Sequence, residues 1–423
     1  MKILVITRNA WDDTNAIGNT LSNFLCGVEG AEFASIYFRA SKPNNKLCKK
    51  YYHTSETEIL KKWFKPSSIG HSFTTSEDGE ATQNKKSKEK TLIRAIQKYG
   101  IKAAYKISDR LWYSKKWINK RLDDFIEEFK PDLMVTFVKS APQYYLTLKH
   151  IREKYKVPLF SWIADDEYTA LLKKNAKREI SNLQYIINES AKVTGCSEEL
   201  CEYYNSVFGC NAETLYKGCD LSNPLKNKNN DNLTIVYAGN LLYGRLEIIS
   251  RLADSLKKNS EISQNVIFEV YSNTNLLDSE IQTHFGDDSV VKYMGRKDYG
   301  FIKERLSNAD VVLHAESFNE EQILKTKYSF STKIVDYLQS GSVILAIGPS
   351  EISSIKYIAK IPGAYVINDL EKIDEGLKTL FADASAFYEM ASATRQFAKL
   401  HHDSCLLSQK INETFRNILE GGV

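Results

Sequence analysis

The sequence predicts an α/β protein built from two doubly wound domains. Three observations predict it. Short, wholly apolar runs recur along the chain, and each leads through a polar or glycine-bearing loop into a helical stretch, the alternation of parallel-sheet proteins. The chain has 423 residues, 43% hydrophobic and 26% charged; at roughly 100–200 residues per domain that is core enough for two domains. Residues 223–232 are polar and rich in breakers, and they lie between one such α/β series and the next, as an interdomain linker would. The expected boundaries are 1–220, 232–400 and a terminal helix at 401–423, with a basic insertion at about 41–121.

Taken in order, residues 3–7 read as the first strand. A polar loop follows, and a helix begins at about Asn19. Gly18 there lets the backbone approach a ligand, so Gly18 and Asn19 are candidate acceptor-loop residues. No full G-x-G-x-x-G is present, so no dinucleotide fingerprint is read. Residues 35–39 give the second strand. From 41 to 83 the sequence is polar and irregular and reads as a long inserted loop. A basic stretch at 85–121 then interleaves lysines and arginines with Ile107, Leu111, Trp112 and Trp117 at helical spacing. It has two readings: a helix lying on an anionic membrane surface, or a solvated basic helix packed by its apolar side. Strands follow at 133–138 and 157–163, with a helix at 142–154 between them. The second strand ends in Asp165-Asp166-Glu167, carboxylates at the strand end where this architecture keeps its chemistry. Asp165 and Asp166 are candidate acceptor contacts, with helix capping as the plain alternative.

The second series opens with a strand and turn at 233–240, in which Gly239 and Asn240 lead to Gly244, Arg245 and a helix to about 258. Arg245 can meet a diphosphate in fork-like fashion. Strands at 266–271 and 290–294 follow, the second ending in Gly295-Arg296. A strand at 310–314 ends beside Glu316, and His314 reads as a core histidine. In residues 328–349 a helix starts at Ser331 or Thr332, carries an apolar face of Ile334, Val335 and Leu338, and stops at Gly341. A buried strand at 343–347 succeeds it. Thr332 and Lys333 lie four and three residues from Asp336, so all three share the first turns. A helix start suits a phosphate and the carboxylate one turn on suits a pair of sugar hydroxyls, which together are the needs of a nucleotide-sugar. A last strand at 364–367 and helices at 385–400 and 405–419 complete the chain.

Bulk properties bound the partners. A formal net charge of +4 argues against a nucleic-acid-coating protein. The seven cysteines fit no zinc template and read as single structural thiols, and reduced thiols fit a cytoplasmic location. The opening apolar run is too short for a signal peptide, and no run approaches the roughly 20 apolar residues of a membrane span.

The segment Ser331-Thr332-Lys333-Ile334-x-Asp336-Tyr337-Leu338-x-Ser340-Gly341 resembles the donor-site segment of GT-B glycosyltransferases, above all glycosyltransferase family four. Asp336 stands at the acid that binds the nucleotide ribose in that family, where Glu is usual, and Val343 stands where Pro is common. Residues 213–221 are similar to the family's hinge, with Gly218 and Asp220 matching and Lys217 in place of Asn. Gly239 to Arg245 resembles the donor-phosphate loop, and Gly295-Arg296 a loop near the base. Glu316 is taken as the first acid of the family's two-acid motif, although its spacing from Asp336 differs. The resemblance implies two Rossmann-like domains facing a cleft, the first for an acceptor (a sugar or lipid-linked acceptor) and the second for a nucleotide-diphosphate sugar. It also implies a final helix crossing back to the first domain, and transfer without a metal or other cofactor and with retained configuration. Asp165, Arg245 and Lys333 are the expected catalytic residues. Gly239, Asn240, Arg245, Gly295, Arg296, Glu316, Ser331, Thr332, Lys333 and Asp336 are the expected donor contacts. A role in bacterial surface polysaccharide synthesis follows from the fold's usual employment, and a location at the inner face of the membrane from the basic stretch at about 85–121. A sugar-nucleotide epimerase of the same fold and a silent nucleotide-sugar-binding subunit are the rival readings.

Overall fold

The computed structural model describes residues 1–39, 41–75, 101–222, 225, 232–286 and 290–421, of which the side chains of 101–106 are left aside. The chain forms two compact units, Met1–Leu215 with Ser408–Val423, and Tyr216–Leu407. The hinge-like segment is therefore divided, with Tyr216 onward in the second unit.

The first unit is organised on an eight-stranded sheet. Its strands are β1 (Lys2–Thr7), β2 (Glu32–Tyr37), β3 (Cys48–His53), β4 (His71–Thr74), β5 (Leu133–Phe137), β6 (Leu159–Ile163), β7 (Lys192–Gly195) and β8 (Glu213–Thr214), in the order β4-β3-β2-β1-β5-β6-β7-β8. All neighbours are parallel except β3 and β4. Buried on both faces, β1 and β5 are apolar at nearly every position, which is why they are legible as continuous runs. The terminal helix Ser404–Leu419 sets Phe415 against Phe160 of β6, ring centres 5.2 Å apart, and the Asn412 amide donates to the Gly27 carbonyl at 2.8 Å.

One expectation is corrected here, and the described part of the basic stretch follows the second, packed reading of its two. The stretch at 41–83 is not one loop: β3, the helix Glu56–Lys61 and β4 form the sheet edge. Its strand carries Lys49 and Lys50 beside Tyr51 and Tyr52, both tyrosines fully buried, so the core contribution is aromatic and the usual aliphatic signal is missing. In the basic stretch, residues 85–100 lie outside the described residues. Trp112 and Trp117 beyond it pack on Phe38 at 5.5 and 6.0 Å, and the indole N–H of Trp112 donates to Glu56. Both tryptophans are at most 1% exposed, so these aromatics belong to the core.

The second unit has six parallel strands: β9 (Leu233–Ala238), β10 (Val266–Tyr271), β11 (Val291–Gly295), β12 (Val311–Ala315), β13 (Val343–Ile347) and β14 (Ala364–Ile367), in the order β11-β10-β9-β12-β13-β14. The chain winds outward from β9 in one direction and then returns to its other side at β12. That reversal is a topological switch point, where open α/β sheets bind ligands. Pairing between β9 and β12 stops at Val236–Val312. The carboxyl ends of these two strands therefore do not close on one another, and the loops after them share the crevice.

Candidate functional site

The crevice is built by the turn after β9, the residue after β12 and the helix Lys333–Ser340. Gly244 adopts a left-handed backbone (φ 73°) that opens the helix Arg245–Lys258. A Cβ on it would lie 2.4 Å from Ser317 Oγ, so a side chain there is excluded twice, by φ and by the chain after β12. That approach aims Arg245 across the switch point. Its Nη2 donates to both carboxylate oxygens of Glu316 at 2.8 and 3.0 Å, its Nε to the Ala315 carbonyl at 3.2 Å, and its Nη1 to Asn240 Oδ1 at 3.0 Å. Side-chain exposure is 16% for Arg245 and 3% for Glu316. Burial pushes the Glu316 carboxyl up, but the His314 ring and the Arg245 guanidinium together outweigh it and hold it below the usual carboxylate range. His314 Nε2 lies 3.4 Å from Glu316 without hydrogen-bond geometry, and the residue is buried in β12, as a core position implies.

This changes the reading of Arg245. The sequence offers it as an open fork for a diphosphate. In the structure four of its hydrogen bonds are already made within the chain, and Glu316, expected at the donor, is its counter-ion.

Lys333 is the cation left available. It opens the helix Lys333–Ser340 and extends to Tyr237, its Nζ 5.9 Å from the ring centre. A Cβ on Gly239 would lie 2.3 Å from that Nζ, so the absent side chain of Gly239 is the space the ammonium occupies. Burial first, then the Arg245 charge, lowers its pKa from the ordinary 10.5 to about 8, against the opposing pull of Asp336 and Glu316. No carboxylate among the described residues lies within ion-pair distance of it. At the start of the helix neither Ser331 nor Thr332 acts as the expected cap. Thr332 is already helical (φ −59°, ψ −16°) and makes no capping bond, while the Ser331 amide donates to Ser354 Oγ at 3.1 Å. The Ile334 amide already donates to the Ser331 carbonyl at 3.0 Å, and an uncapped start leaves its other first-turn N–H donors for another acceptor.

Asp336 lies one turn on. Tyr299 donates its hydroxyl to Asp336 Oδ1 at 3.1 Å. Burial raises the carboxyl, and Lys217, Tyr299, Lys333 and Lys303 reduce the rise without cancelling it. Lys217 and Tyr299 are the residues sequence reasoning missed. Lys217 had shown itself as a departure, a lysine in place of the family's asparagine, and it is only 8% exposed, with its own pKa lowered chiefly by burial. Tyr299 carried no signal, since a tyrosine opening a surface helix is unremarkable in sequence. Gly295 turns the chain after β11 with φ 64°, and Arg296 beyond it is exposed.

The candidates of the first unit are separate pieces of local structure. The helix Ala16–Leu25 starts three residues before Asn19 and is capped by Asn15, whose side chain accepts from the Gly18 amide at 2.9 Å. A Cβ on Gly18 would meet the Asp12 carbonyl oxygen at 2.0 Å. The close approach it permits in this structure is to the chain itself. Asp166 accepts from the Thr169 amide (3.2 Å) and the Tyr204 hydroxyl (3.3 Å). Glu167 accepts from the Ser140 amide and pairs with Lys139, both at 2.9 Å. Asp166 is therefore the local cap. Asp165 is exposed at the end of β6, and among the described residues it makes no hydrogen bond or ion pair.

No protein-family model and no curated protein matches this sequence. Solved structures do match over the whole length. A structure of HepE from Anabaena in complex with UDP and glucose aligns with a TM-score of 0.64 at 12% identity, over 99% of this chain and 100% of that one. The glycosyltransferase WaaG, of lipopolysaccharide biosynthesis, aligns at 0.60 and 12%, over 99% and 100%. Trehalose 6-phosphate synthase from Burkholderia multivorans aligns at 0.65 and 10%, over 100% and 99%. With the two parallel sheets in place, these full-length likenesses show that the chain has the GT-B fold.

Proposed function

We propose that the chain is a glycosyltransferase, moving a sugar from a nucleoside diphosphate sugar to an acceptor hydroxyl. The observation that carries this reading is Lys333. A partly buried ammonium without a carboxylate partner, at an uncapped helix start and one turn from a half-buried carboxylate, is a receptor for a diphosphate beside a pentose. As the glycosidic bond breaks, negative charge grows on the diphosphate. Lys333 and the first helical amides stabilise it, and Asp336 with Tyr299 holds the ribose hydroxyls. Arg245 contributes by its field and by fixing the turn of Gly239 and Asn240, and Glu316 holds Arg245 in place. UDP and glucose in the HepE structure support a donor of this class.

The finer features of the proposal rest on the resemblance: retention of configuration, charge neutralisation by side chains with no metal at the diphosphate, and a sugar or lipid-linked acceptor on the way to a surface polysaccharide. Contact with an anionic membrane surface through about 85–121 belongs to the same proposal: of the described basic residues there Arg110, Lys115, Lys120 and Arg121 are exposed, whereas Trp112 and Trp117 are packed inside.

The test is release of nucleoside diphosphate from a panel of donors, with and without glycosyl acceptors. Release that depends on acceptor supports transfer. Donor turnover independent of acceptor indicates the epimerase, and binding without any turnover the silent subunit; either result overturns the proposal. Two variants sharpen it. Asp165→Asn should fold normally and cut turnover by about 10²-fold or more, as for a lost acid–base or positioning group; full turnover with unchanged donor affinity removes Asp165 from the mechanism. Gly239→Ala places a methyl 2.3 Å from the Lys333 ammonium, which ends a flexible chain and yields, and 2.7 Å from the hydroxyl of the buried Tyr237, which must also shift. Calorimetry should then show weaker nucleoside diphosphate binding, with a Tm below that of the unchanged protein.

A further inference from the structure

We propose that His53, Glu58 and His71 form a binding site for one divalent transition-metal ion of the zinc class, built wholly within the first unit and independent of the glycosyl-transfer reading. The three side chains bring one ligand atom each to within 4.8 Å of one another. Their convergence follows from the local fold. His53 ends β3 and His71 begins β4, and the two are direct partners in the only antiparallel ladder of the described sheet, so their side chains leave from one face. The rings sit with centres 5.5 Å apart. Glu58 comes from the helix Glu56–Lys61, whose start is fixed by Ser55 accepting from the Glu58 amide.

The second observation concerns His53 itself. Its Nε2 is buried and has no hydrogen-bond partner. The ring also hydrogen-bonds the backbone of Arg39, which must therefore engage the other nitrogen. An imidazole anchored through one nitrogen on a main-chain group, with the other bare and aimed at further ligands, is the arrangement of metal-binding histidines. A bare buried ring nitrogen is otherwise a cost without return. Glu58 is 14% exposed and uses Oε1 to bind Lys62 at 2.7 Å, which orients it and leaves Oε2 for a ligand bond. His71 is exposed and gives access from solvent.

Two imidazoles and a carboxylate favour zinc over magnesium or calcium, which take all-oxygen shells. Zinc bonds of about 2.0–2.2 Å place tetrahedral ligands roughly 3.3 Å apart, so binding draws the three atoms inward from their present separation and a water completes the shell. The ion would tie the edge hairpin of β3 and β4 to the helix between them, where the sheet ends and has least support.

The test uses untagged full-length protein stripped with chelator. Cobalt(II) is titrated as a spectroscopic probe and then displaced by zinc(II). Expected are visible d–d bands that saturate at one equivalent, their loss on adding one equivalent of zinc, and a zinc-dependent rise in Tm. His71→Ala, at an exposed edge position, should fold as the unchanged protein does and lose the bands and the Tm rise. Glu58→Gln, which keeps a hydrogen bond to Lys62, should weaken cobalt binding at least tenfold. Absence of saturable binding in the unchanged protein, or equal binding by His71→Ala, overturns the site.

Discussion

Lys333→Met is expected to lower turnover by about 10²–10³-fold, the scale for losing one preorganised group aimed at developing charge, and to leave the fold intact. The effect should be large because Lys333 is the cation not already engaged. Arg245 spends its donors on Glu316, Ala315 and Asn240, whereas Lys333 meets only the Tyr237 ring and the gap above Gly239. Stability should move the other way. A lysine whose folded pKa is about 8, against 10.5 ordinarily, destabilises the fold while it stays charged. Between those values the unfolded chain binds the extra proton, so stability rises with pH: the lysine's unfavourable contribution is full below pH 8, where both states are protonated, and is relieved as pH rises from 8 to 10.5. Methionine removes the cost of burying the charge, and its Tm at pH 7 should equal or exceed that of the unchanged protein. Donor binding carries its own signature. Nucleoside diphosphate affinity should be flat below pH 8 and fall as pH rises above it, by at most about tenfold per unit, as the ammonium deprotonates. Calorimetric titrations across a range from about pH 6.5 to about 9.5 would read this slope directly. A slope shared by Lys333→Met would assign the titration elsewhere, and full turnover in that variant would remove Lys333 from the site.

What was legible in the sequence divides along physical lines. Strands β1, β5, β9, β12 and β13 are buried on both faces, so burial writes itself into consecutive apolar residues and needs no alignment to be read. The helix Lys333–Ser340 was equally plain, because its apolar stripe and Gly341 (φ 72°) are local signals. The edge strands were not, since β3 hides Tyr51 and Tyr52 among lysines and histidine and joins β4 across a long connection. At the site, residues grouped within one helix were found together, as Lys333 and Asp336 were. Pairings that depend on the sheet order were not. Arg245 and Glu316 are 71 residues apart, and only the adjacency of β9 and β12 brings them together. The same holds for Tyr299 and Asp336, 37 residues apart. Sequence patterns thus named most of the residues that line the candidate site but not which of them spend their charge on each other.

That distinction gives the second large effect. Glu316→Ala should lower stability by about 3–5 kcal/mol, because it leaves the Arg245 guanidinium largely buried beside an empty space with its counter-ion gone. Arg245→Met should cost a similar amount by stranding the Glu316 carboxylate, which at 3% exposure has little recourse to water. The double variant Arg245→Met, Glu316→Leu removes both charges and refills the volume, and it should recover most of the loss, since a buried pair replaced by apolar groups is often close to neutral. Denaturant unfolding of the unchanged protein, Arg245→Met, Glu316→Leu and the double variant forms a cycle whose coupling energy is expected to be at least about 2 kcal/mol. Activity should not follow stability. The double variant, though folded, loses the bond that fixes Asn240 and the turn bearing Gly239, and with it the seat of the Lys333 ammonium. Its turnover should stay well below that of the unchanged protein. If stability and turnover were restored together, the pair would be only a brace for the second sheet, and the positioning of the diphosphate would have to be credited to Lys333 and the helix start alone.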